Sequence, residues 1–185
     1  MLQDAAVIEA VFNEAFAEEL LWMTENAFIN GTGSGQPLGF MNSGALVTVA
    51  KEGGQTADTI VTMNILNMWD RLPVRSRANA VWLVADSLVE TQLFQLTMPN
   101  SNVNIYFPPG NNAATPQSAV FGTLLGRPVI PVEYMAGLGD VGDIALVDLN
   151  SYIRIDKGGT QTSESMHVRF IYDEMCYDSL VCVPP

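Results

Sequence analysis

Apolar residues recur at four- and three-residue steps through the start of the chain: Ile8, Phe12, Phe16, Leu20, Met23 and Ala27. Glu9, Asn13, Glu18 and Glu25 occupy other faces, and no glycine or proline interrupts the run. This spacing predicts one helix from about Leu2 to Asn30. About 28 residues span about 42 Å, which is long for a compact domain of this size. Such a helix is expected to lean on something besides its own chain, as a strut or an oligomer contact.

The helix pattern closes on Asn30-Gly31-Thr32-Gly33-Ser34-Gly35-Gln36-Pro37-Leu38-Gly39. A phosphate-binding glycine loop follows a strand and opens a helix, so that backbone N–H groups face the anion. Here the order is reversed and no Lys-Ser/Thr follows. Asn30, Gly31, Gly33 and Gly35 therefore read as a structural turn after a helix, where Asn-Gly supplies the left-handed conformation common at helix ends.

Downstream, Ala45–Val49 reads as a strand. A second helix is expected from about Asp58 to Leu72, capped by Thr56 or Asp58 and stopped by Pro73. Ala80–Ala85 reads as a fully buried strand, followed by a third helix from Asp86 or Ser87 to about Leu96. Residues 99–115 are rich in Asn, Pro and Gly and predict a long loop, with a short strand at Asn104–Phe107. Leu124-Leu125-Gly126-Arg127-Pro128-Val129-Ile130-Pro131 predicts a turn into an edge strand, confined there by its prolines. Gly137–Asp143 reads as a loop, and strands are expected at Ile144–Leu149, Tyr152–Asp156 and His167–Tyr172. There is no internal repeat and no clean linker.

Composition narrows the class. The chain has 185 residues, 48% of them hydrophobic and 15% charged, which is too apolar for disorder. Its 20 acidic residues against 8 basic ones give a net charge of −12. That balance repels nucleic acid and anionic membranes. No apolar run approaches the roughly 20 residues of a membrane span, and no basic flank precedes the first apolar stretch as in a signal peptide. Two cysteines, Cys176 and Cys182, are too few for a disulfide scaffold or a four-ligand zinc site.

Candidate chemistry is sparse. His167 is the single histidine, and no Ser or Cys stands in a nucleophile-elbow context to complete a triad. Asp140, Asp143 and Asp148 miss the spacing of a calcium loop. Glu14, Glu18, Glu19 and Glu25 have no Glu-x-x-His partner for a di-iron helix. No catalytic residue, cofactor, metal or small-molecule substrate is expected. The one basic concentration is Arg71, Arg75, Arg77 and Arg127, which suits contact with an acidic neighbouring subunit better than nucleic-acid binding, with plain solvent exposure as the other reading.

The order of elements resembles one family. The long helix ending in Phe28-Ile29-Asn30-Gly31-x-Gly33-x-Gly35-Gln36-Pro37-x-Gly39 looks like the spine helix and following turn of tailed-bacteriophage major capsid proteins. Asp58–Leu72 with the Trp82 strand resembles the opening of that family's axial domain. Leu124-Leu125-Gly126-Arg127-Pro128-Val129 is similar to its leucine-glycine-x-proline-valine phrase. Gly142–Asp148 followed by Tyr152-Ile153-Arg154 looks like its strand beneath the axial loop, and Phe170–Tyr177 resembles the return strand to the peripheral domain.

The resemblance implies an α+β fold, a spine helix on a small peripheral sheet plus a mixed axial domain. It places a peripheral part at 1–55, the axial domain at 56–165 and the return strand at 166–185. It implies a structural subunit of a phage or prophage capsid, located in the virion and in the host bacterial cytoplasm when expressed. The expected partners are other capsid subunits, with Arg71, Arg75, Arg77 and Arg127 as candidate contacts. The family's N-terminal arm and extended hairpin loop would precede the spine helix. Neither is present in this sequence, and Asp178–Pro185 departs from the family's last peripheral strand. A truncated or remnant subunit is therefore expected. Alternatives are a fragment that interferes with assembly of intact capsid proteins, or a bacterial nanocompartment shell protein.

Overall fold

A computed structural model describes residues 2–85, 92–99, 101, 103–108, 122–155, 161–169 and 174–180. In chain order the elements are α1 (Leu2–Asn30), α2 (Thr62–Arg71), β1 (Val81–Ala85), β2 (Tyr106–Phe107), β3 (Thr123–Leu124), β4 (Arg127–Val132), β5 (Ile144–Val147), β6 (Gln161–Arg169) and β7 (Glu174–Leu180). Short 3-10 turns occupy Phe40–Asn42, Leu93–Gln95 and Leu149–Ser151. The fold is α+β. The chain divides into two compact units, Met1–Gly44 with Ile153–Pro185, and Ala45–Tyr152. The expected boundaries after residues 55 and 165 fall a short way downstream of these breaks.

The first unit holds α1, the turn Phe40–Asn42 and an antiparallel hairpin of β6 and β7, paired from Gln161↔Leu180 to Arg169↔Glu174 with an irregularity between Ser165 and Arg169. The predicted helix over Leu2–Asn30 is present. His167 lies on β6 and Cys176 on β7, while Cys182 lies outside the described residues.

The second unit is built on a mixed sheet of order β2-β3-β4-β1-β5. β1 lies between β4, which it pairs in parallel from Trp82↔Val129 to Ala85↔Val132, and β5, which it pairs antiparallel. Residues 82–85 of β1 are buried in succession, so both of its faces are covered, as its unbroken apolar run predicts. Trp82 is fully buried and donates its indole N–H to the Leu124 carbonyl at 3.1 Å, so its one polar group is satisfied. Ile65 from α2 joins Trp82, Val84, Leu93, Leu124 and Val129 in the fully buried core. Each such side chain contributes roughly 1.5–3 kcal/mol by leaving water.

Several sequence expectations change here. Ala45–Val49 forms no strand, and Leu46 and Val47 are exposed. The run is β-branched but finds no partner strand among the described residues. α2 begins at Thr62 rather than Asp58, because Asp58 sits in the left-handed region at φ 54° and cannot continue a right-handed helix. Neither Thr56 nor Asp58 caps it. Val61 takes the N-cap position, and its N–H donates to the Asn64 side-chain oxygen at 3.0 Å. Pro73 follows the C-cap residue Leu72, which is already extended at ψ 128°.

β4 is an interior strand, not an edge strand. Its prolines are tolerated because its two sides are paired over different stretches. The Val129 N–H donates to Gly122 at 2.9 Å, on the β3 side. By the period of two, the Pro131 nitrogen faces that same side, where β3 has already ended after pairing only with Arg127 and Pro128. The Pro128 nitrogen faces β1 one residue before that ladder begins at Val129. Each missing donor falls outside the paired stretch of the strand it faces.

The predicted third helix falls largely on residues 86–91, outside the described residues, and Leu93–Gln95 is a 3-10 turn. The short strand is Tyr106–Phe107 only, with Asn104 bridged to Thr97. β5 ends at Val147, Leu149–Ser151 is a 3-10 turn and residues 152–155 are not strand. The strand expected at His167–Tyr172 begins earlier, at Gln161, and residues 170–173 lie outside the described residues.

Candidate functional site

Two constructions carry the residues singled out by sequence. The first is the crossing at the end of α1. Gly31 N–H donates to the Ala27 carbonyl at 2.9 Å and ends the helix ladder. Gly33 and Gly35 then take positive φ values of 78° and 68°, and the chain doubles back through a bridge between Thr32 and Leu38. Gly39 N–H donates to the Gly31 carbonyl at 2.9 Å, and the Asn42 side-chain amide donates to the carbonyls of Asn30 at 2.7 Å and Gly31 at 3.0 Å. The carbonyls left over at a helix end are thus satisfied by the returning chain. This differs in detail from the sequence expectation. Asn30 is still helical and Gly31 is not among the left-handed residues. Gly31 is glycine because a Cβ there would overlap the carbonyl oxygens of Ala27 and Pro37. Gly39 is the reciprocal case, since its Cβ would overlap the Ile29 carbonyl oxygen.

The second construction is the basic turn between α2 and β1. Ser76 N–H donates to Pro73, Arg77 N–H to Val74 and Asn79 N–H to Ser76, a tight succession of three-residue turns. Arg77 folds back on the helix it follows. Its Nε donates to the Leu72 carbonyl at 3.2 Å and its terminal nitrogen to the Asp70 carbonyl at 3.3 Å, with the guanidinium 5.6 Å from the Trp69 ring. It serves as a cationic cap for the C-terminus of α2. Arg127 donates to the Ala78 carbonyl and ties β4 to the same turn, while its Nε is buried and finds no acceptor among the described residues. Arg71 and Arg75 are exposed. Arg75, Arg77 and Arg127 are thus gathered about one turn, and Arg71 closes the helix that leads into it.

Sequence reasoning weighed Asp148 only as a calcium ligand and missed that it organises this turn. Ser76, the one buried polar residue among those described, hydrogen-bonds Asp148 and holds its carboxyl below the ordinary range. Ser151 Oγ donates to the same carboxylate at 3.0 Å, the Asn150 N–H donates at 3.2 Å, and Arg75 adds a favourable charge. The turn Leu149–Ser151 is thereby fastened to the turn at 73–79. Val74 and Leu149 stand exposed beside this link. The available signal was a serine between two arginines.

The other acidic candidates go to separate local tasks. Asp143 accepts from Gly139 N–H at 3.2 Å and from Ile144 N–H at 2.7 Å. Burial nevertheless pushes its carboxyl up, with Asp140 adding repulsion. Among the described residues no group of three or more His, Cys, Asp or Glu is arranged to hold a metal. No described helix is long and apolar enough to cross a membrane. A groove at the start of α2, lined by Val61, Thr62, Met63, Thr97, Met98 and Pro99, carries no ionisable side chain.

Comparison with solved structures gives the fold its context. The capsid of an empty GTA particle, computed with C5 symmetry, superposes with a TM-score of 0.66 at 16% identity, over 93% of this chain and 60% of that one. The capsid of a native GTA particle gives the same TM-score and identity over 96% of this chain and 63% of that one. This chain therefore spans less than two thirds of either. Among curated proteins, none matches. The profile of the phage capsid family matches residues 1–178, nearly the whole sequence. The chain belongs to the phage capsid family.

Proposed function

We propose that the protein is a structural subunit of a phage-like shell, acting by burial of interfaces with other capsid subunits and carrying no catalytic residue. The family match over residues 1–178 is the observation that carries this reading. The chemistry of the basic turn supports it. Arg77 and Arg127 are used within the chain, whereas Arg71 and Arg75 are exposed and suited to bidentate contact with acidic neighbours. The site of action is the virion shell, and the bacterial cytoplasm during expression. Light scattering coupled to size exclusion, with electron microscopy of the peak, tests this. Rings or larger assemblies that grow with concentration are expected. A monodisperse monomer at every concentration, alone and mixed with a full-length relative, overturns it.

A second reading rests on the chain's spanning only 60% and 63% of the two solved capsid chains. In that reading it joins longer capsid chains and perturbs their shells. Co-expression with such a relative decides between the two, since an unchanged shell yield and form counts against interference.

A further inference from the structure

We propose that α1 of one copy docks, through its exposed acidic and apolar stripe, on the basic turn of a second copy, a head-to-tail contact that rests on the subunit reading above. The ionisable residues of α1 are Asp4, Glu9, Glu14, Glu18, Glu19 and Glu25, all acidic, without one base. Arg71, Arg75, Arg77 and Arg127 are four of the 8 basic residues in the whole sequence. Charge is thus sorted by element, acidic on α1 and basic about the turn at 73–79.

Polarity matches as well. Val11, Glu14, Glu18 and Leu21 succeed one another at three- and four-residue steps, so they share one stripe of the helix. Glu14 and Glu18 are exposed, and Val11 and Leu21 are 60% and 61% exposed. At the basic turn, Val74 is 77% and Leu149 is 50% exposed, Val74 preceding Arg75 in sequence and Leu149 following Asp148, the partner of Ser76. Each surface offers two apolar side chains with like charges, and the signs are opposite. The carboxylates of Asp70 and Asp148 also lie at the turn, but four arginines outnumber them.

The same sorting disfavours the alternative pairing. Two copies of α1 laid against each other would oppose glutamate to glutamate, and like charges across an interface cost affinity. A contact between unlike surfaces repeats head to tail, and closes as a ring or continues as an open array.

The test uses the full chain, with association followed by sedimentation across concentration and folding by far-UV circular dichroism. Arg71→Glu with Arg75→Glu, and separately Glu14→Arg with Glu18→Arg, each raise the half-association concentration at least about tenfold. Mixing the two variants, which restores opposite charges wherever unlike variants meet, returns it to within about threefold of the unaltered chain. Folded variants that associate as the unaltered chain does overturn the contact while leaving the subunit reading in place. Failure of the mixture to recover also overturns it. An unaltered chain that never associates overturns the subunit reading and the contact together. If reversal at Glu14 and Glu18 lowers the melting temperature but leaves association unchanged, α1 is covered by its own chain and the contact is again excluded.

Discussion

Gly31 and Gly39 meet where the chain crosses the end of α1, and both are glycine for want of room. The neighbours a Cβ would strike at Gly31 are backbone carbonyls, which cannot swing aside as a side chain does. Gly31→Ala therefore costs about 1–3 kcal/mol of unfolding free energy. Gly44→Ala, where the added methyl meets nothing within 4 Å, changes it by less than about 0.5 kcal/mol; denaturant titration of both variants checks the contrast. Two carboxylates give opposite pH signatures. Burial raises the pKa of Asp143, so its contribution to stability is present below the ordinary aspartate value of about 3.9 and is lost as pH rises through the raised value. The Ser76 hydrogen bond lowers that of Asp148, so its contribution is present above about 3.9 and is lost as pH falls through the lowered value. Stability measured against pH should lose the first feature in Asp143→Asn and the second in Asp148→Asn.

At the scale of elements, sequence was most readable where one pattern decided the outcome. The helix over residues 2–30 was legible from a run without glycine or proline, although its apolar spacing marks no buried face, Phe12, Phe16 and Met23 being exposed; the apolar run at Val81–Ala85 specified a buried strand. It was least readable where a partner far along the chain decided. Ala45–Val49 has the composition of a strand without a ladder to join, and β4 carries the prolines of an edge strand in an interior position. No local rule shows that β3 stops after two residues and leaves the Pro131 side of β4 unpaired. That explanation has a direct check. Pro131→Val should be near neutral, within about 1 kcal/mol. Ile130→Pro removes the N–H that faces β1 and should cost at least the roughly 1 kcal/mol of a lost hydrogen bond, together with distortion of the ladder. Thermal melts of the two variants test both statements.

For the whole molecule, the basic turn was legible as a cluster of arginines but not as a division of labour. Only the structure separates Arg77, which caps α2, and Arg127, which ties β4 to the turn, from the exposed Arg71 and Arg75. If charge complementarity drives association, added salt should weaken it before it alters the circular dichroism spectrum, since screening shortens to about 3 Å at 1 M. Sedimentation at increasing ionic strength measures this. The glycine crossing has a mechanical consequence of its own. α1 has 29 residues and so a length of about 43 Å, and its last turn is clamped by Gly39 and Asn42. A tilt of 1° at the clamp moves the opposite end by about 0.75 Å, and 5° moves it by nearly 4 Å, the width of a side chain. The crossing is the fulcrum of a lever, and the missing methyl groups at Gly31 and Gly39 set how finely that lever is aimed.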